Sequence, residues 1–396
     1  MFLWGHWPGP FSFTELALKG GSMLSIDAKD RSSRARTGTL RLAHGELPIP
    51  AFMPVGTNAS VKAIHHSTVE AMGTRLILAN TYHLYLRPGI EVIREAGGLH
   101  QFSGWKHNIL TDSGGYQVFS LAPFRKILPE GVKFRSHIDG SYHLLTPELV
   151  VELQEGFGSD ILMPLDVCTG PEASRREAES ALKTTIEWLQ RSVDRWKQRS
   201  PHYDGKLFGI IQGNFDAELR RQSTELTLAA ETPGLAIGGL SVGEPFDVYE
   251  DMLSVVVPYL PDEKPRYVMG IGTPDYILTA VEKGIDLFDC VYPTRIARNG
   301  SAFTQDGLID LKKARFERDF TPIEEGCPCH ACQTYSRAYL RQMFKCNEMF
   351  GPMLTTEHNL QFLHRFLAEI RVAIREGRFL DFKQAFLKRY GGKAHG

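Results

Sequence analysis

Between Arg41 and Asp289, short apolar runs alternate with amphipathic stretches of helical period. The runs are Ala51–Val55, Arg75–Ala79, Asn108–Thr111, Asp160–Leu165, Leu207–Ile211, Leu235–Ile237, Tyr267–Met269 and Ile285–Phe288. They are continuous rather than alternating, the pattern of strands buried on both faces. The longest intervening helical stretch runs from Pro171 to about Arg199, and Thr146 followed by Pro147 reads as an N-cap with a proline in the first helical position. Eight such units predict an α/β fold, a closed (β/α)8 TIM barrel rather than an open doubly wound sheet. The longer gaps, 112–146 and 166–206, hold insertions.

The residues just past these runs are unusually polar: Thr57-Asn58, Asn80-Thr81-Tyr82-His83, Asp112-Ser113, Asp166, Gln212, Gly238-Gly239, Gly270 and Asp289. In a barrel they gather at the C-terminal rim, where active sites lie. Asp112, Asp166 and Gln212 each have an innocent reading as a turn cap, a strand end or a loop start. Asp289 does not: it lies between Leu287-Phe288 and Cys290-Val291, and a carboxylate against apolar neighbours needs a reason. Three acids and a glutamine on one rim predict a site.

Downstream, Cys327, Cys329 and Cys332 fall within six residues, a crowding that a tetrahedral zinc site explains. Spacing leaves Cys346, His358 and His364 open as the fourth ligand, and places His330 too close to reach round the ion. The chain is thereby expected to divide into a barrel over residues 23–310 and a zinc-binding subdomain with closing helices over 311–396. The first 22 residues lack a basic start and a cleavage site, so they read as a disordered extension rather than a signal peptide.

Composition narrows the partners. With 42% hydrophobic and 23% charged residues and no apolar run near the roughly 18 residues of a membrane span, a soluble globular protein is expected. Few, oddly spaced cysteines favour a reducing cytoplasm over a disulfide framework. At a formal net charge of −1, nucleic-acid binding would need a local basic surface. One candidate is the segment after His358, where Arg365, Arg371, Arg375, Arg378, Lys383, Lys388, Arg389 and Lys393 face three acids; a solvated helix face explains it as well. No His-x-His follows the first strand and no G-x-G-x-x-G or Walker loop occurs, which disfavours a metal-dependent barrel hydrolase and a nucleotide-loop enzyme. Met269-Gly270-Ile271-Gly272-Thr273-Pro274 stands where barrels often bind phosphate, and reads equally as a Gly-Pro turn. Paired carboxylates without a catalytic metal suit glycosidic chemistry.

Five segments resemble the bacterial tRNA-guanine transglycosylases: Thr111-Asp-Ser-Gly-Gly-Tyr-Gln117, Phe208-Gly-Ile-Ile-Gln-Gly213, Gly238-Gly-Leu-Ser-Val-Gly-Glu244, Phe288-Asp-Cys-Val-Tyr-Pro-Thr-Arg295 and the cysteine cluster. The resemblance runs from about Arg36 to the C-terminal region. It implies a zinc-bearing barrel that exchanges guanine at the anticodon wobble position of tRNA for a 7-deazaguanine base, in queuosine biosynthesis. It implies Asp289 as nucleophile and Asp112 as general acid/base, with Asp166, Gln212, Gly239 and Leu240 reading the base edge and Tyr116 and Met269 sandwiching its faces. Arg295 and Arg298 would grip the RNA, and His358 would complete a structural Zn2+ site with Cys327, Cys329 and Cys332. Val242 and Cys168 match the bacterial form, implying 7-aminomethyl-7-deazaguanine as the incoming base, with queuine the alternative. A cytoplasmic homodimer is also implied. The rivals are a non-catalytic tRNA-binding paralogue, which should have lost Asp112 or Asp289, an archaeal-type enzyme with an additional RNA-binding domain, and a hydrolytic nucleosidase.

Overall fold

The computed structural model describes residues 22–121 and 124–391; the expected N-terminal extension, save Ser22, lies outside the described residues, as does Lys393. Eight strands form one parallel sheet: β1 (Ala51–Pro54), β2 (Leu76–Ala79), β3 (Asn108–Thr111), β4 (Ile161–Leu162), β5 (Lys206–Ile211), β6 (Gly234–Ile237), β7 (Arg266–Val268) and β8 (Leu287–Cys290). Neighbours follow chain order, β8 pairs with β1, and a parallel bridge between Val55 and Leu78 joins β1 to β2. The ring is therefore closed, as the eight buried runs predict.

Side chains alternate across the barrel wall. Leu76, Leu78, Leu110, Ile161, Phe208, Ile210, Ala236, Tyr267 and Leu287 pack together inside. Ile77, Ala79, Ile109, Ile211, Leu235, Ile237, Val268 and Phe288 pack outward against the helices. Period two makes both sets necessary, because a strand in a closed ring has no solvent face.

A three-stranded antiparallel sheet, Leu24–Lys29, Arg36–Leu42 and Gly45–Ile49, plugs the N-terminal end of the ring. Its Leu24, Leu40, Leu42, Leu47 and Ile49 join the inner cluster. Arg36 fastens it by a buried bidentate pair to Asp286, Nε to Oδ1 at 2.9 Å and Nη2 to Oδ2 at 2.6 Å. The gap after β3 contains a second antiparallel sheet, Arg125–Leu128, Gly131–Arg135 and Tyr142–Leu145. Thr146 caps helix Pro147–Phe157 as expected. The long helix begins later than Pro171, at Arg175, because Ser174 and Glu177 form a capping box there.

Beyond β8 come helix Tyr292–Arg298, the hairpin Ser301–Thr304/Gly307–Asp310, and helices His330–Thr334, Arg337–Lys345, Phe350–Arg375 and Phe379–Gly391. Helix Phe350–Arg375 lies on the barrel itself: Leu360, Leu363, Phe366, Leu367, Ile370 and Ile374 share one apolar cluster with Phe52 and Phe288. Fully buried Asn359 locks it in place, donating to the carbonyls of Pro293 and Ser301 (3.0 and 3.1 Å) and accepting from the Phe303 N–H (2.9 Å). Among the described residues no helix is long and apolar enough to cross a membrane.

Candidate active site and metal centre

Strand parity places the polar residues. Leu78, Leu110, Ile210 and Leu287 face inward, and two residues beyond them stand Asn80, Asp112, Gln212 and Asp289. These side chains therefore stand one layer past the inner apolar cluster, at the C-terminal mouth of the barrel.

Asp112 is held by four donors, one of them the Gln117 side chain. Thr81 and Gly114 give backbone N–H bonds to Oδ1 (3.0 and 3.1 Å), and Asn80 Nδ2 binds Oδ2 at 2.6 Å. Gly114 reaches its position with φ of 76°, in the left-handed region that favours glycine. Burial outweighs these donors and, helped by the nearby Asp289 charge, pushes the Asp112 carboxyl up to about 7. It therefore exchanges a proton near neutrality.

Asp289 is arranged differently. Its Oδ1 accepts from the Tyr267 hydroxyl at 2.5 Å and the Gly270 N–H at 2.8 Å. Among the described residues no donor reaches Oδ2. Burial raises this carboxyl above its ordinary range while the two donors oppose the rise. Burial, and then the Asp289 charge, holds the Tyr267 hydroxyl well above 10, so it stays a donor. One oxygen is thus clamped and the other is unengaged, the geometry of a nucleophile.

Asp166 and Gln212 form a second pair, with Gln212 Nε2 donating to Asp166 Oδ2 at 2.7 Å and Ser113 Oγ lying 3.4 Å from Oδ1. Burial pushes Asp166 up to about 6, leaving it mostly ionised at neutral pH. Gly239, at φ 65°, continues the wall, and a Cβ there would stand 2.4 Å from Gln212 Oε1. Behind it lies Arg220, fully buried and donating to the carbonyls of Asn214 (2.7 Å), Gly238 (2.7 Å) and Gly239 (3.1 Å). Leu240 is buried and Val242 half-buried, and Glu244 accepts from the N–H groups of Ser241 and Val242, fixing this loop. Cys168 is half-buried with its thiol raised to about 12, chiefly by burial, so it is no thiolate.

Met269 is half-buried, and Tyr116 is 59% exposed, which excludes core packing as its role. Arg295 is exposed and Arg298 half-buried on helix Tyr292–Arg298, one turn past β8. The basic C-terminal segment is largely engaged within the chain. Arg365 pairs with Glu324, Arg378 with Glu376, Lys383 with Glu282 and Arg389 with Asp306. Tyr267 and Arg220 are site residues that the sequence reading passed over. Parity from Leu287 and the rim position of Met269 could have flagged the tyrosine, whereas no sequence signal marked the arginine.

The cysteine cluster resolves to Cys327, Cys329, Cys332 and His358, all buried, with ligand atoms within 4.8 Å of one another. His358 Nδ1 lies 3.7, 3.7 and 3.2 Å from the three sulfurs in turn. Its Nε2 is 2.7 Å from the Phe303 carbonyl, which can only accept. The proton therefore sits on Nε2, and the Nδ1 lone pair is directed at the sulfurs, as metal ligation requires. His330 and Cys346 are exposed, and His364 instead bonds Thr74 Oγ1 at 2.6 Å. Three thiols and one imidazole form a closed donor set suited to a structural metal.

The family model described as queuine tRNA-ribosyltransferase matches residues 30–392. A queuine tRNA-ribosyltransferase of Treponema denticola is 54% identical over 362 residues, covering 91% of this chain and 96% of its own. Those of Dictyoglomus turgidum and Pelotomaculum thermopropionicum are 50% and 51% identical, over 93% of this chain and 95% and 98% of theirs.

Proposed function

Because this chain belongs to the queuine tRNA-ribosyltransferase family, we propose that it exchanges guanine at the wobble position of a tRNA anticodon for a 7-deazaguanine base by double displacement. Family membership makes it a pentosyltransferase; the two unlike carboxylates support the rest. The observation that carries the mechanism is the asymmetry of Asp289, with Oδ1 clamped by Tyr267 and Gly270 and Oδ2 unengaged.

In the first displacement Asp289 Oδ2 bonds to ribose C1′ as the C1′–N9 bond breaks. The leaving guanine takes a proton from Asp112, whose carboxyl near 7 carries one at neutral pH. In the second, N9 of the incoming base gives its proton to Asp112 and displaces the Asp289 carboxylate. Two inversions restore the original configuration and leave the RNA backbone uncut. To expose C1′ the target nucleotide must leave its stack, and Tyr116 and Met269 receive its faces. Exposed Arg295 and half-buried Arg298 stand beside β8 to hold the flanking phosphates.

Asp166 accepts from N1–H and the 2-amino group. Gln212, with one N–H on Asp166 and a second available, donates with the Gly239 N–H to the exocyclic oxygen. Adenine reverses these donors and acceptors, leaving buried groups unpaired, a basis for discrimination of about 10⁴ or more. Leu240 offers its carbonyl to an aminomethyl substituent, and the Val242 side chain takes space that a bulkier queuine would need. We therefore assign 7-aminomethyl-7-deazaguanine. Zn2+ suits the Cys327, Cys329, Cys332 and His358 set, where it supplies a structural crosslink and no chemistry. A cytoplasmic homodimer follows from the same family resemblance.

The test is exchange of labelled guanine into a tRNA with a G-wobble anticodon, comparing the unaltered protein with Asp289→Asn. The unaltered protein exchanges and forms a covalent RNA adduct on denaturing gels, and the variant does neither. An Asp289→Asn protein that exchanges and forms the adduct normally removes the nucleophile assignment.

A further inference from the structure

At the opposite end of the barrel from the carboxylates, a cavity of about 30 Å³ lies between β1, the start of β2 and helix Phe350–Arg375. Leu47, Ala51 and Phe52 supply its apolar side, and Arg75, His364 and Arg371 its polar side. No carboxylate lines it. Arg75 donates through Nη1 to the carbonyls of Glu70 (3.0 Å) and Thr74 (2.9 Å), and Arg371 through Nη1 to that of Pro50 (2.7 Å). Among the described residues, neither guanidinium forms an ion pair, and the Nε and Nη2 groups of both have no partner. His364 Nε2 is committed to Thr74 Oγ1.

Two half-buried guanidinium groups therefore share a small chamber with no opposing charge. Arginine keeps its proton at neutral pH, so an anion entering from solution would meet two charges with free donors and no competing carboxylate. The surroundings register the excess: burial, then the charges of Arg371 and Arg75, hold His364 down to about 4, and burial together with Arg375 lowers Arg371 to about 10. A water needs roughly 10–15 Å³ of such space, so the chamber admits something larger than one water and much smaller than a nucleotide.

We propose that this cavity binds a small inorganic monoanion of chloride size between Arg75 and Arg371, and that the ion fastens helix Phe350–Arg375 to β1. The polar donors would supply charge-assisted bonds, and the apolar wall of Leu47 and Phe52 would disfavour strongly hydrated dianions. The site is independent of the carboxylates and of the base exchanged.

Thermal unfolding of the full chain in sodium chloride and in sodium gluconate, at equal ionic strength, tests this. The unaltered protein should unfold about 2–4 °C higher in chloride. Arg75→Met and Arg371→Met should each abolish that difference. Crystals of the unaltered protein soaked in bromide should show an anomalous peak in the cavity, a readout that survives if either variant does not fold. Three results overturn the proposal: equal midpoints in both salts, a chloride effect that persists in Arg75→Met, or no bromide peak. Stabilisation by sulfate or phosphate alone, with none by chloride, overturns it too, by pointing to an oxyanion.

Discussion

Raising the pH should weaken this fold through Asp112, by an amount that the Asp112→Asn variant isolates. Burial and the neighbouring Asp289 charge lift the folded carboxyl from 3.8 to about 7. In the unfolded chain the same group titrates near its ordinary value. Between about pH 4 and pH 7 the unfolded state has therefore released a proton that the folded state keeps. Stability then falls by about 1.4 kcal/mol per pH unit across that window and is level on either side. Three units set an upper figure of about 4 kcal/mol, of which roughly 2–3 kcal/mol falls between pH 5 and pH 7. Asparagine cannot titrate. It also sets an NH2 group against Asn80 Nδ2, adding a cost of about 1–3 kcal/mol that does not vary with pH. Urea midpoints for both proteins across this range, converted with their slopes, give the difference directly. The unaltered protein should lead at low pH and lose ground up to pH 7, after which the curves should run parallel. A difference that stays constant from pH 5 to pH 8 would show that Asp112 has no raised pKa, and its role as an acid near neutrality would fall with it.

Tyr267→Phe removes a donor from ionised Asp289 and should cut exchange about 10–100-fold, moving the acid limb of the kcat/KM profile to higher pH; an unshifted profile would contradict the clamp. Gly239→Ala drives a Cβ toward Gln212 at a left-handed φ, so KM for the base should rise about tenfold with a stability loss of about 1–2 kcal/mol. Normal KM in that variant would place the base elsewhere. Cys332→Ser should lose its bound metal and unfold at lower temperature, whereas Cys346→Ser should keep its full metal content. Equal metal content in the two would refute the ligand set.

The barrel and its carboxylates were legible because both follow from local rules. A strand buried on two faces reads as an unbroken apolar run, and period two carries the inward direction from Leu110 to Asp112 and from Leu287 to Asp289. The plug sheet was not legible: Leu40, Leu42 and Leu47 bury themselves against strands far along the chain, and nothing nearby announces that partner. Tyr267, inside an apolar run, reads as core until the Asp289 carboxylate is placed beside it. Arg220 stands next to Arg221 on a helix whose buried face includes Ser223, Thr224 and Thr227. Hydrophobic periodicity therefore could not tell the inward arginine from the outward one. Of the three ligand choices that spacing left open, distance selects His358, since Cys346 lies at the surface and His364 pairs with Thr74.

Helix Phe350–Arg375 covers the outside of β1, whose own residues are made near the start of the chain. At synthesis rates of roughly 5–20 residues per second, β1 would wait about 15–60 s on the ribosome for that cover. Throughout that interval Phe52 has no lid, and until β8 is made the ring also has an open seam. Helix Phe350–Arg375 thus acts as a clasp added only after every barrel strand has been made. Rare codons or a premature stop before residue 350 would present nascent chains with the outer face of β1 uncovered to chaperones and proteases.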